Sequence, residues 1–450
     1  MSTKKIDPLI KDIETAIDLG NFVSYYESDD FIKCLEGVKA KIDALVESDA
    51  KRVINLYEVF IAAAYEKADE IDDSDGALGQ LGEELFCSLI QARQKANLSS
   101  DDTAAAILRW IETDNYGFCY DLIKPAAETL NAEGRKSLRK MIESNIIPEL
   151  EELSNKRKDT KAPGEKISCK LQNQINNLKI IMVAQNDVNS YIELCGKSEF
   201  TPADCETIAK LFVLKKNYID ALSWVNQGIK LESKGTLVKG SAWGLPDLKR
   251  ELLKKLGRAN ESVQSAWDDF SEDPSVFSYD ELMKYVPNQE KKDWHKRATD
   301  YMEKKGELSD KLEFFLKTKE LDFLTKTIEA ATDSSLEDLS HYTPEEVAGK
   351  IKKSHPLPAA KLYRAMGFRI LNSKKSRYYN FALEHFSNVK EIYEKNNLCN
   401  EWEKVCRRIA EQHSRKSSFI GEFKNLASGK GLRRKPEFME KIQSRLNKLE

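Results

Sequence analysis

Glycine and proline are scarce in this chain, at 20 and 12 of its 450 residues. That removes the tight turns a many-stranded fold requires and favours long helices. Runs that alternate apolar and polar residues are missing, so no half-buried sheet is expected. The eight cysteines (34, 87, 119, 169, 195, 205, 399, 406) are scattered and form no CxxC pair. A disulfide scaffold is thereby excluded, and the thiols read as small buried hydrophobes of a reducing compartment. Long hydrophobic runs are missing as well. The most apolar early stretch, Leu56 to Tyr65, contains Glu58 and covers about half of a membrane span. No apolar segment follows Met1-Ser2-Thr3-Lys4-Lys5, so a cytoplasmic protein with no membrane partner is expected. An excess of one charge is missing too: 71 basic residues face 74 acidic ones, for a net charge of −3. That balance argues against a protein whose whole surface addresses nucleic acid.

Chemical motifs are also absent. The five histidines (295, 341, 355, 385, 413) share no i, i+4 face, and no HExxH occurs, so no metal is expected. There is no GxSxG nucleophile turn and neither a GxxxxGK[ST] nor a GxGxxG phosphate cradle. Acidic pairs such as Asp72-Asp73 and Asp268-Asp269 read as solvated faces. No catalytic residue and no cofactor is assigned, and an unrecognised enzyme is the third-ranked reading.

What the chain does contain is one phrase of helix grammar written twice. Tyr218-Ile219-Asp220-Ala221-Leu222 and Tyr379-Asn380-Phe381-Ala382-Leu383 each set an aromatic three residues before an alanine. A bulky residue follows four positions on, Val225 and Phe386. This is how the second helix of a helix-turn-helix repeat packs on the first. Residues 202–235 fit the 34-residue tetratricopeptide template. Cys205, Ile208, Ala209 and Phe212 line the first helix, Lys216-Asn217 turns, and Tyr218, Ala221, Val225 and Gly228 line the second. A second pair is expected over 357–395. A looser one spans 248–274, with Leu252 and Leu253 leading through Gly257-Arg258 to Trp267 and Phe270. Thr201-Pro202-Ala203-Asp204, Thr343-Pro344-Glu345-Glu346 and Ser99 to Asp102 read as helix starts, and Cys195-Gly196 as a helix stop. The spacing predicts an all-α, TPR-like helical-repeat solenoid of roughly 20 helices.

Residues 153–167 are polar, basic and broken by Pro163-Gly164, and read as a linker between an N-terminal helical region (1–152) and the repeat region (168–428). The remainder, 429–450, reads as a basic tail with a short helix over about 436–449. Positive charge gathers toward this end: Arg407, Arg408, Arg415 and Lys416, then Lys424, Lys430 and Arg433-Arg434-Lys435. Arg408 and Arg415 share a face if one helix carries both, and with Trp402 and Phe419 nearby they are candidates for contacting an anion or a partner. The cluster shows no basic–aromatic alternation of the kind that stacks bases, so a solubilising role for the end of the array is the expectation.

From about residue 104 to 425 the chain resembles a bacterial family of helical, TPR-like domains of unknown function. The likeness is carried by Leu222-Ser223-Trp224 with Gly228, by Leu256-Gly257-Arg258, and by Trp267 with Phe270, Pro274 and Tyr279. Tyr379, Ala382 and His385, the closing Trp402, Ile409, His413 to Lys416 and Phe419, and the earlier Asp114-Asn115-Tyr116-Gly117 complete it. Members occur alone or downstream of SWIM-type zinc fingers; the finger's own CxC and CxH pattern is missing from this sequence. The resemblance implies a fold and no activity. The expected function is a non-catalytic scaffold that docks another protein or peptide on a concave helix face. A nucleic-acid accessory role through the C-terminal basic residues is the alternative.

Overall fold

The computed structural model describes residues 7–18, 20–114, 118, 121–159, 167–233 and 244–429. Two compact units divide at Leu256/Gly257. The first contains α1 (Pro8–Ile17), α2 (Tyr25–Asp43), α3 (Ala50–Lys67), α4 (Ala77–Lys95), α5 (Ser100–Thr113), α6 (Ile123–Thr129), α7 (Ala132–Asp159), α8 (Cys169–Ala184), α9 (Val188–Ser198), α10 (Pro202–Leu214), α11 (Tyr218–Ser233) and α12 (Leu245–Lys255). The second contains α13 (Ala259–Glu272), α14 (Val276–Tyr285), α15 (Lys291–Lys305), α16 (Leu308–Thr318), α17 (Leu321–Ala330), α18 (Asp333–Glu337), α19 (Tyr342–Ile351), α20 (Pro356–Asn372), α21 (Tyr379–Lys395), α22 (Cys399–His413) and α23 (Ser417–Ala427). Among the described residues there is no strand, only one isolated bridge between Val23 and Ile71. Among the described residues the fold is all-α, with α10–α11 and α20–α21 packed as helix pairs.

A shared device stops these helices without glycine. Asn97, Asn186, Lys216, Lys319, Lys374 and Asn397 all adopt the left-handed conformation, each one or two residues past a helix end. At Lys216 the amide bonds back to the Val213 carbonyl (2.9 Å), and the Asn217 amide reaches the Phe212 carbonyl (3.0 Å). The pair satisfies carbonyls that the last helical turn leaves bare. The same doubled bond recurs after α4, α8, α16 and α21. Asparagine tolerates this conformation; lysine adopts it at a cost.

The two repeat pairs form as their small residues dictate. α10 packs along α11, and Ala209 and Ala221 are fully buried between them. A methyl group on Gly228 would stand 2.7 Å from Leu245 Cδ1 and 2.9 Å from Cys205 Cβ, so only glycine lets α11 approach both neighbours. Val225 is buried, and Phe212 and Tyr218 are half-buried. α20 and α21 repeat the arrangement with Ala382 and Phe386 fully buried, Tyr379 nearly so, and Gly367 against the Phe386 ring. In the second unit Trp267 and Phe270 join Tyr279, Tyr301 and Phe314 in a cluster of ring contacts.

Several expectations need correction. α12 packs on α11, and α13 on α14. α7 and α8 pack together and contribute to one core, while 160–166, within the expected linker over 153–167, lie outside the described residues. α9 continues through Gly196 to Ser198, whose hydroxyl bonds the Leu194 carbonyl. α19 begins at Tyr342, ahead of Thr343, with no side-chain cap. The Thr201 start is as expected, with Thr201 and Asp204 capping each other, and Ser99 receives the Asp102 amide. The Asn115–Gly117 part of the likeness and the expected helix over 436–449 lie outside the described residues.

Candidate interaction surfaces

The four basic candidates do not share a face. α22 ends at His413 and α23 starts at Ser417, so Arg408 lies on a helix while Arg415 and Lys416 lie in the link after it. Arg408 donates to both Glu337 carboxylate oxygens (2.7 and 3.1 Å), and its guanidinium covers the Phe368 ring at 3.8 Å. Glu337 also accepts from Asn372 (3.0 Å). Arg408 therefore ties α18, α20 and α22 together and is not available to a ligand. Arg407 and Arg415 are exposed; Lys416 lies 5.9 Å from the centre of the Tyr379 ring.

The most heavily bonded buried charge reads from sequence only as a cap. Asp204 Oδ1 accepts from Lys179 Nζ (2.7 Å) and the Tyr191 hydroxyl (2.8 Å). Oδ2 accepts from the Thr201 amide (3.0 Å) and hydroxyl (2.8 Å). Burial alone would raise the carboxyl pKa, but the Lys179 charge and these bonds outweigh it and hold it below the usual range. The same surroundings push the Tyr191 phenol up, and burial pushes the Cys195 thiol up to about 12, so neither is a nucleophile at neutral pH. Beside the network is a pocket of about 290 Å³ with Ile180, Val183, Ala184 and Thr207 on its walls and Lys124 and Glu128 among its lining. Lys179 and Tyr191 both donate to Asp204, and the network joins α8, α9 and α10 as a structural tie.

In the second unit His295 bridges three helices. Its Nδ1 is 2.8 Å from the Tyr279 hydroxyl and its Nε2 is 2.9 Å from Glu320 Oε1. Burial raises the Tyr279 phenol, which makes this chain of bonds a tie between α14, α15 and the start of α17 rather than an activated nucleophile. Among the described residues no three His, Cys, Asp or Glu side chains converge as a metal site would require. No helix among them is long and apolar enough to cross a membrane.

The exposed apolar side chains follow a rule. Among the described residues, every large one lies in a link or within the first three or last two residues of a helix. Leu214 and Ile219, at 69% and 72% exposure, flank the α10–α11 turn; Tyr378 and Phe381, at 38% and 48%, follow the Lys374 turn where α21 begins. Helix ends thus present the apolar surface. Helical periodicity does not reveal this, because it points to grooves along helix faces; the signal available in the sequence is an apolar residue at a helix boundary, such as Leu98 beside Asn97 or Leu214 two residues before Lys216.

Comparison with solved structures finds weak similarities. One match is the structure of Naa15/Naa10 bound to HypK-THB, at 10% identity and a TM-score of 0.30, covering 91% of this chain and 64% of that one. Another is a circular tandem repeat protein with a novel repeat topology, at 12% identity and a TM-score of 0.19, covering 91% and 97%. The chain thus spans about 64% of the length of the first of them. None of the curated proteins matches the sequence. A family model matches residues 10–422, and by that match the chain belongs to the family of unknown function DUF6880.

Proposed function

We propose that the protein is a non-catalytic, cytoplasmic scaffold that holds another protein or peptide against the ends of its helices. The observation that carries this reading is the confinement of exposed large apolar side chains to helix ends and links. A solvent-facing helix end has no packing reason to display Leu214, Ile219 or Phe277. Apolar side chains gathered on a surface mark interaction sites, whereas isolated ones do not. The α10–α11 turn is held by its doubled backbone bond and the α20–α21 turn by the Lys374 amide on the Leu371 carbonyl, so the apolar groups are presented with little ordering left to do on binding. The buried tie at Asp204 and the half-buried ties at His295 and Arg408 support the reading by fixing helices of each unit.

The test replaces Leu214 and Ile219 with serine in the full chain and repeats affinity capture from the native host. The expected result is loss of the proteins retained by the wild type, with thermal stability unchanged to within about 0.5 kcal/mol because both sites are on the surface. Retention of the same proteins at the same level by the stable variant would refute the helix-end reading.

A further inference from the structure

We propose that the α20–α21 end of the second unit binds single-stranded nucleic acid. The turn region reads Lys374-Lys375-Ser376-Arg377-Tyr378-Tyr379-Asn380-Phe381, and from Ser373 to Leu383 it contains three cations and no acid. The link between α22 and α23 contributes Arg415 and Lys416, again with no acid from Ser414 to Gly421. Tyr379 brings the two stretches together. Its ring packs edge-on to Phe419 at the start of α23 (5.7 Å), and Lys416 Nζ lies 5.9 Å from its centre. Lys374, Lys375, Arg377 and Arg415 are all exposed. The cations sit beside rings that face water. The Arg377 guanidinium is 4.7 Å from the Tyr378 ring centre, and the Tyr378 and Phe381 rings are 6.4 Å apart.

The chemistry of the occupant follows from this mixture. Single-stranded nucleic acid carries one phosphate and one flat base per residue, so a surface that interleaves cations with exposed rings meets both at once. A duplex hides its base faces in the stack and would use only the cations. An acidic peptide would also be drawn by the charge, but it has no planar groups to require two solvent-facing rings. The sequence alone points to Arg407, Arg408, Arg415 and Lys416 for the anion contact. The fold removes Arg408 from that group and puts Arg415 and Lys416 beside a basic–aromatic run that lies more than thirty residues earlier.

The probes are fluorescently labelled oligothymidylate and oligouridylate, titrated with the full chain across a salt series. Five cations would each release about 0.7 of a counterion from a single strand, giving a slope of log affinity on log salt near −3.5. The variant Lys374→Gly/Lys375→Gln/Arg377→Gln should lower the slope to about −1.4. Its first change keeps a left-handed residue where the backbone needs one, and a parallel melt reports whether the fold is retained. If that triple variant unfolds, Arg415→Gln with Lys375→Gln gives the same test with an expected slope near −2.1. Phe381→Ala should weaken both oligonucleotides by about tenfold by removing one stacking platform. Lys304→Gln/Lys305→Gln, on exposed cations at the end of α15, should leave binding unchanged. The proposal is overturned if neither oligonucleotide binds at about 50 mM salt. It is equally overturned if Phe381→Ala has no effect while polyglutamate binds as tightly as the oligonucleotides, which would make the patch a surface for an acidic protein.

Discussion

Removing Asp204 should be among the most damaging single changes in the first unit. Its carboxylate receives four hydrogen bonds, caps α10 and neutralises Lys179, whose side chain is 11% exposed. Asp204→Ala loses the cap, worth about 1 kcal/mol, and strands an ammonium group in the interior. Breaking a buried pair from one side costs about 3–5 kcal/mol in total. Lys179→Met should cost less, about 1–2 kcal/mol, because Thr201 and Tyr191 still serve the carboxylate. In the double variant no charge is left stranded, so the two costs should fall short of additivity by about 1–3 kcal/mol. Urea titration of the four proteins gives the energies, and hydrogen exchange over α8, α9 and α10 shows whether the loss is local. Additive costs, or an Asp204→Ala penalty under about 1 kcal/mol, would mean that Lys179 and Asp204 are solvated in the folded protein and form no buried tie.

Other expectations follow from the same contacts. Ala221→Leu should overpack the α10–α11 crossing and destabilise by about 1–3 kcal/mol, measured by urea titration; an unchanged midpoint would refute the packing of Ala221 at that crossing. Lys216→Gly should stabilise by up to about 1 kcal/mol in a thermal melt, because glycine adopts the left-handed conformation of that turn without strain. His385 is buried against the Tyr363 ring, and burial lowers its pKa with Glu345 and His341 as the charged neighbours. A histidine held neutral in the fold gains its proton first in the unfolded chain, so its stabilising contribution is complete above about pH 6.5 and declines as pH falls below it. His385→Gln should flatten that decline between about pH 7 and 5, as followed by urea titration across the range. The Glu391 carboxyl, pulled down to about 2 by hydrogen bonds from Lys352 and Lys395, acts in a separate window below the ordinary carboxylate range.

What is legible in the sequence is whatever depends on neighbours along the chain. The α10–α11 and α20–α21 pairs can be read because Ala209, Ala221 and Ala382 recur at helical spacing beside aromatics. The Thr201–Asp204 cap can be read because its partners are three residues apart. Contacts between distant segments cannot. Lys179 reaches Asp204 across 25 positions and Arg408 reaches Glu337 across 71, and each charge looks solvated when read in its own helix. The break between α22 and α23 is also hidden, because Ser414 to Lys416 contains no proline or glycine. Lys374 to Phe381 lies in plain view as a basic–aromatic run. It is masked because Tyr379 satisfies the repeat's packing pattern, a role the fold gives to that ring and not to Tyr378 or Phe381. Gly196 misleads for the opposite reason: a glycine after an apolar stretch suggests a stop, yet its backbone is helical and α9 runs on.

The central claim is that partners meet the ends of the helices rather than their faces, and position-specific photocrosslinking tests it most directly. A photoreactive residue is placed at Ile219 and at Phe277, and separately at Lys210 and Gln227 on the exposed faces of α10 and α11. All four positions are exposed, so each variant should fold. Illumination with captured partner should yield strong adducts from 219, from 277 or from both, and little from 210 and 227. Adducts concentrated at 210 and 227, with none from the helix ends, would contradict the claim and return the binding surface to a groove along the helices.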